Sequence, residues 1–506
     1  MATYRWAAVA GLLLAAIVPS AHAAPAADAF AAVAKSPPLL RAFLYAMPKG
    51  GDLHNHLSGA AYAEAIIRAG AAADRCVDPA TGALVWNTPC GPPYRPMKDA
   101  LTDSTLNRTL VNAWSMRDFV ATSGNSGHDH FFAAFSLFGG AAPAGDMAAE
   151  VVDRAGRQHM RYVELMITFQ SAALGKLADT VGKAHPWTGD PAAFEAALND
   201  ANLSDLVKAA TPEIDADEHR MRTVMQCGTK NAHPGCGVTV RWLQQVSRTG
   251  SAARVFTQTI FGGLLQKSDK RVVGLDYVAP EDDPKALANY TDQMHMLDYL
   301  HQRMPDTNIS LHAGELTMGL VQPEDLLFHI RQAVELGHAK RIGHGVDVMY
   351  EENPFALLKE MAQRRVAVEV NLTSNAQILG VQGADHPFQV YRSHGVPVVL
   401  STDDEGIERI DRTHELQRAV TTYGLNWNAL IGLERNTLEY AFVEGASLWA
   451  DPVGWKRVKD CERTNLAAKP TGACAAFLDK NQKAGLQWAL EADLIRFDRA
   501  VAAGLR

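Results

Sequence analysis

Two histidines lie two residues apart in PKGGDLHNHLSGA, the stretch from Pro48 to Ala60. The run before them reads as a short β-strand, and side chains at i and i+2 leave a strand on the same face. His54 and His56 therefore aim two imidazoles at one point. Neutral imidazole is a good ligand for a borderline metal such as zinc, so the pair offers half of a metal site. The plainer reading is a surface or core histidine pair. Other segments decide between the two, because a site needs a third ligand, a carboxylate and an acid/base group.

Such groups recur, each directly after an apolar run: His312 and Glu315 in LHAGE, His344 in RIGHG, and Asp403 and Asp404 in VVLSTDDEG. His54, His56, His312 and Asp403 make a mixed nitrogen and oxygen shell suited to one Zn²⁺, which lowers the pKa of a bound water toward neutrality. His344 is placed to orient that water or to accept its proton. Glu315, three residues past His312, can protonate the atom that gains electrons when water adds. Asp404 points away from its neighbour and could accept a hydrogen bond from a substrate. The plainer readings are a helix-start carboxylate for Glu315 and a strand-end packing histidine for His344.

Positioning these groups requires several strands that end together. Short β-rich runs occur at Gly50–Leu53, Tyr162–Thr168, Val238–Gln244, Val272–Val278, Asn308–His312, Lys340–His344, Arg365–Asn371 and Val396–Ser401. Helical patterns separate the later ones: EDLLFHIRQAVELG, closing on Gly337, and NPFALLKEMAQRR, with Pro354 near its start. Strand and helix in alternation predict a parallel α/β architecture, and eight such strands fit a closed (β/α)8 barrel with insertions. In that fold the working groups sit at the C-terminal ends of the strands. The histidines and aspartates fall there.

The flanks predict export. Arg5 precedes an apolar run from Trp6 to Val18, and Ser20-Ala21-His22-Ala23 has the small-x-small pattern of a signal peptidase site, so residues 1–23 read as a signal peptide. The run is too short for a bilayer span of roughly 20 residues, and no later stretch reads as a membrane anchor. The six cysteines fall as Cys76/Cys90, Cys227/Cys236 and Cys461/Cys474. Local pairing is the simplest of the possible connectivities. Each bridge would staple a polar excursion, worth about 3 kcal/mol for a loop of about 15 residues. Thiolate zinc ligation is the rival, but no CxxC pair seeds it. A periplasmic or extracellular location follows from both features.

Residues 24–506 are expected to form a single catalytic domain, with a cap-like insertion at about 58–160 and a helical C-terminal extension at about 406–506. HDHFFAAFSLF, from His128 to Phe138, either walls the cap or simply packs in a buried helix. The formal net charge of −8 and the lack of any long Lys/Arg cluster give no support to nucleic-acid or polybasic membrane binding.

The sequence also resembles a known family. PKGGDLHNHLSGA, YVEL, GLDYVAPED, HAGE, RIGHG, VEVNLTSN and STDDEG occur in the order found in adenosine deaminases of the metal-dependent amidohydrolase class, and are most similar to the secreted, growth-factor-like branch. The landmarks span most of Met47 to Glu405. The resemblance implies a TIM barrel, one zinc ion, and hydrolytic loss of the purine 6-amino group as ammonia. It implies that His54, His56, His312 and Asp403 are the metal ligands. Glu315 would protonate ring N1, His344 would position the attacking water, Asp403 and His344 would manage its proton, Gly314 would make a backbone contact to the purine, and Asp404 would partner N7.

Three departures bear on the substrate. Ser58 stands where the family often has Asp facing the ribose, and serine supplies no formal charge. Ala279 and Pro280 stand where a glycine-containing turn is common, and Met166 where arginine is frequent. Adenosine leads as substrate, then 2′-deoxyadenosine, with other 6-aminopurine derivatives open. A different metal-dependent amidohydrolase and a non-enzymatic secreted binding protein are the alternatives. The family resemblance implies a monomer or a homodimer.

Overall fold

The computed structural model describes residues 25–86 and 89–504, so the expected signal segment lies outside the described residues. Eight parallel strands carry the fold: β1 Lys49–Asp52, β2 Met160–Ile167, β3 Thr239–Ser247, β4 Val272–Val278, β5 Ile309–Ala313, β6 Arg341–His344, β7 Ala367–Val370 and β8 Val398–Leu400. Each pairs with its sequence neighbours, from Gly51 opposite Tyr162 to Val370 opposite Leu400. The sheet closes beyond β1 and β8, where Asn55 bridges Asp403 and the Asp403 N–H donates to the His54 carbonyl at 2.9 Å. This is a TIM barrel. Strands such as β1, β4 and β6 are buried along their whole length, because helices cover the outside while side chains fill the inside.

The closure places the expected ligands. Each of the eight strands lies within a few residues of its sequence-based range. His54 and His56 follow β1, His312 lies in β5, His344 ends β6, and Asp403 follows β8.

The long connections are helical. Between β1 and β2 run helices Ala63–Ala72, Ser104–Ala113, Gly127–Phe138 and Ala144–Arg157, with a small three-stranded sheet around Cys76. Helices Ser171–Ala184, Pro191–Asp200 and Leu203–Val224 separate β2 from β3. The cysteines pair locally, as Cys76–Cys90, Cys227–Cys236 and Cys461–Cys474. Among the described residues no helix is long and apolar enough to cross a membrane.

The expected continuous helix from Glu324 to Gly337 is instead broken. A 3-10 turn at Pro323–Leu326 precedes a separate helix at His329–Glu335. The physical cause lies outside the segment. Glu351 accepts hydrogen bonds from the Ile330 and Arg331 N–H groups at 2.6 and 3.1 Å, capping a helix that starts there, and His329 Nδ1 lies 2.7 Å from Glu281. The Pro354–Arg364 helix forms as expected.

Candidate active site

Two strand ends turn sharply to present their side chains. His344 has φ +67° and Asp403 has φ +58°, left-handed backbone that costs a non-glycine residue about 1–2 kcal/mol. Such strain persists where the surroundings over-determine it, which is characteristic of functional sites. His54, His56, His312 and Asp403 each offer one ligand atom, and these four atoms lie within 4.8 Å of one another.

Each of the three histidines is anchored through Nδ1. His54 Nδ1 lies 2.7 Å from Glu369 Oε2, His56 Nδ1 2.8 Å from Gln245 Oε1, and His312 Nδ1 2.8 Å from Asp276 Oδ1. That leaves the Nε2 atoms to converge. His56 Nε2 and His312 Nε2 are 3.1 Å apart, while Asp403 Oδ1 lies 3.3 Å from His56 Nε2 and 3.5 Å from His54 Nε2. Ligands 2.0–2.1 Å from a tetrahedral ion stand about 3.3 Å from each other. His54 Nε2 is buried and has no hydrogen-bond partner among the described residues. The donor set fits a zinc-like ion, and carboxylates behind the histidines are the usual means of fixing the ligating tautomer.

Charge agrees with geometry. Burial, reinforced by neighbouring positive charge, holds the His312 imidazole well below its ordinary pKa, so it stays neutral and free to ligate. Burial would also lower that of His54, but Asp403 and Glu369 outweigh it and hold the group up. The position between those two carboxylates favours a positive charge, whether proton or metal.

A cavity of about 330 Å³ opens over these atoms, lined by His56, His312, His344, Asp403, Asp404, Glu315, Ser58, Gln245, Ile378, Phe131, Phe132, Phe135, Val278, Ala279 and Pro280. This is the size of a small-molecule site. The three phenylalanines come from helix Gly127–Phe138, so that segment does wall the site. Ala279 adopts φ +82°, so the glycine-like turn persists without glycine. Met166 is buried against Leu243, Val273 and Val278 and does not line the cavity.

Glu315 is no helix-start residue: it follows β5 and faces the cavity, and its own N–H donates to Glu281 Oε2 at 2.8 Å. Burial, with the negative charges of Asp403 and Glu281, pushes its carboxyl pKa well up. Burial beside Asp403 likewise pushes the Asp404 carboxyl pKa well up, and Asp404 Oδ1 has no hydrogen-bond partner among the described residues. His344 Nε2 lies 3.7 Å from Asp403 Oδ2. Gly314 stands apart. It is not among the lining residues; its N–H donates to Glu281 Oε1 at 3.2 Å and its carbonyl accepts from Val346. Its φ of +75° suits the turn that delivers Glu315.

Several supporting residues carried no role in the sequence reading. Asp276 and Glu369 were detectable in GLDYV and VEVN as acids inside otherwise apolar strands. Gly59 was not: a Cβ there would stand 1.6 Å from Asp404 Oδ1, so only glycine leaves Asp404 its place.

Comparison with known proteins agrees with this geometry. The adenosine deaminase family profile matches residues 128–447. An adenosine deaminase of Salmonella heidelberg (strain SL476) is 31% identical over 224 residues, 44% of this chain and 61% of the relative. That of Salmonella typhimurium (strain LT2) is 31% identical over 225 residues, again 44% and 61%. The chain thus spans about three fifths of the length of the curated relatives it matches. Among solved structures, the arabidopsis N6-mAMP deaminase MAPDA aligns with a TM-score of 0.51 at 18% identity, covering 80% of this chain and 96% of that one. Arabidopsis ADAL complexed with IMP aligns with a TM-score of 0.52 at 16% identity, covering 90% and 99%. At that identity the likeness is one of fold.

Proposed function

This chain belongs to the adenosine deaminase family, and we propose that it hydrolyses adenosine and 2′-deoxyadenosine to inosine or deoxyinosine and ammonia. The observation that carries the reading is the convergence of four potential ligand atoms on one cavity that also holds the buried carboxyls of Glu315 and Asp404. His54, His56, His312 and Asp403 would hold a zinc ion. Bound zinc supplies a water that loses its proton near neutral pH.

The chain's own groups do the rest. Purine N1 and N7 are both acceptors, and Glu315 and Asp404, whose carboxyl pKa values burial pushes up, would meet them as protonated donors and fix the ring. Glu315 passes its proton to N1, which makes C6 electrophilic. Water then adds at C6, one of its protons passing by way of Asp403 to the amino group, which leaves as ammonia, while the proton of the remaining C6 hydroxyl returns to Glu315 as the 6-oxo group forms. Asp403 and His344 flank the attacking side. Phe131, Phe132, Phe135 and Ile378 exclude water from the reacting carbon. Ser58 meets the ribose end with a neutral hydrogen bond.

The lining also bears on substrate class. Among the described residues no Lys or Arg lines the cavity. Phosphate recognition normally uses such cations. The arabidopsis proteins named above are an N6-mAMP deaminase and a protein complexed with IMP, whereas we assign this chain to unphosphorylated nucleosides. The three disulfides support an exported enzyme, periplasmic or secreted.

Ammonia release and the ultraviolet change, measured for adenosine, deoxyadenosine, adenine, AMP and cytidine, test the proposal. Adenosine is expected to exceed AMP at least tenfold in kcat/KM. AMP turned over as well as adenosine would contradict the nucleoside assignment, and turnover of none of the purines would reject the reading.

A further inference from the structure

Behind His344 a line of buried hydrogen bonds runs back to the main chain. The Phe388 N–H donates to His386 Nδ1 at 3.1 Å. His386 Nε2 lies 2.9 Å from Asn375 Oδ1, and Asn375 Nδ2 lies 2.9 Å from His344 Nδ1. His386 and Asn375 are 3% and 0% exposed, so water does not substitute for these partners. Phe388 opens a short helix whose first N–H has no partner within the helix, which is why a side chain is needed to accept it.

A peptide N–H can only donate, and that gives the whole line one direction. His386 Nδ1 must keep its lone pair, so its proton sits on Nε2. The Asn375 atom receiving that proton must be the carbonyl oxygen. The amide nitrogen then faces His344, whose Nδ1 must accept. Any reversal breaks a buried hydrogen bond, a cost of about 1–3 kcal/mol. A doubly protonated His386 would lose the Phe388 bond as well, and burial, with the Arg418 charge nearby, lowers its pKa to about 4.

We infer that Asn375 and His386 are positioning residues that lock His344 as the Nε2–H tautomer, so that His344 donates a hydrogen bond to the attacking oxygen and cannot take its proton at Nε2. The inference rests on the deaminase reading and deepens it. His344 Nε2 has no other partner among the described residues and points toward Asp403. The water's proton then passes to the Asp403 carboxylate as the oxygen bonds to C6. The two choices open in the sequence, orienting the water or accepting its proton, thus reduce to the first.

The test uses the full-length, metal-loaded protein with ¹⁵N-labelled histidine rings, alongside steady-state kinetics. In the parent protein the His344 proton is expected on Nε2. Asn375→Asp keeps the shape but accepts from both rings, so it moves the proton to Nδ1. It should lower kcat for adenosine about a hundredfold, with KM changed less than threefold and metal content unchanged. His386→Leu should lower kcat and His386→Gln, which retains a donor at the same place, should restore most of it. That second pair keeps the inference testable if the buried carboxylate of the Asn375→Asp variant prevents folding. A parent His344 protonated on Nδ1, parental kcat in the folded Asn375→Asp variant, or equal kcat for the two His386 variants would overturn it. A parent protein that releases no ammonia from any purine would reject the deaminase reading instead, and its ring spectrum would still decide the tautomer.

Discussion

Two buried polar clusters sit in the same barrel, and they differ in how their hydrogen bonds end. In one, Arg341 lies between Glu164 and Glu369, with a 2.6 Å contact to Glu164, a bond to the Tyr440 carbonyl at 3.0 Å and the Phe442 ring 3.7 Å away. Tyr162 and the Phe442 N–H complete Glu164, and Ser310 donates to Glu369. The other, at the C-terminal mouth, leaves His54 Nε2, His344 Nε2 and Asp404 Oδ1 without hydrogen-bond partners among the described residues. An unsatisfied buried polar atom costs about 1–3 kcal/mol. The fold closes the first cluster completely and leaves the second open, and under the proposed function those open atoms are the ones a metal and a substrate would take. Glu369 joins the two, giving Oε1 to Arg341 and Oε2 to His54.

The sharpest way to break this contrast is at the open cluster. His312→Ala should take metal content from one ion per chain to near none and turnover to background; unchanged stoichiometry, read by elemental analysis, would remove His312 from the ligand set. Glu315→Gln should lose about 10²–10⁴-fold in kcat with metal and thermal midpoint retained. Comparable turnover at full metal content would reject its role as proton donor.

Smaller effects separate the clusters. Glu164→Gln leaves a buried guanidinium short of a partner and should cost about 3–5 kcal/mol in denaturant unfolding with metal affinity intact. Glu369→Gln should be similarly destabilising and also weaken metal binding about 10–100-fold. Equal metal affinities in the two variants would show that the closed cluster and the metal shell are one unit.

The legible part of the site had a common form, an apolar run followed by a polar group. That form marked His54, His56, His312, His344, Asp403 and Asp404 because a barrel places chemistry where buried strands end. It also located the strands themselves. What it could not disclose depends on partners distant in sequence. The break before His329 is imposed by Glu351 and Glu281, 21 and 48 residues away from the groups they bind. Gly59 matters only because Asp404 packs against it. His386 and Asn375 look like ordinary polar residues until the Phe388 N–H gives their hydrogen bonds a direction.

Under the proposed function the four converging side chains hold a metal that deamination requires. The most direct measurement is ammonia release from adenosine after chelation, with metal loss verified by elemental analysis, and again after zinc is returned. Activity is expected to disappear with the metal and to return at one zinc per chain. Full turnover by protein verified as metal-free would contradict it.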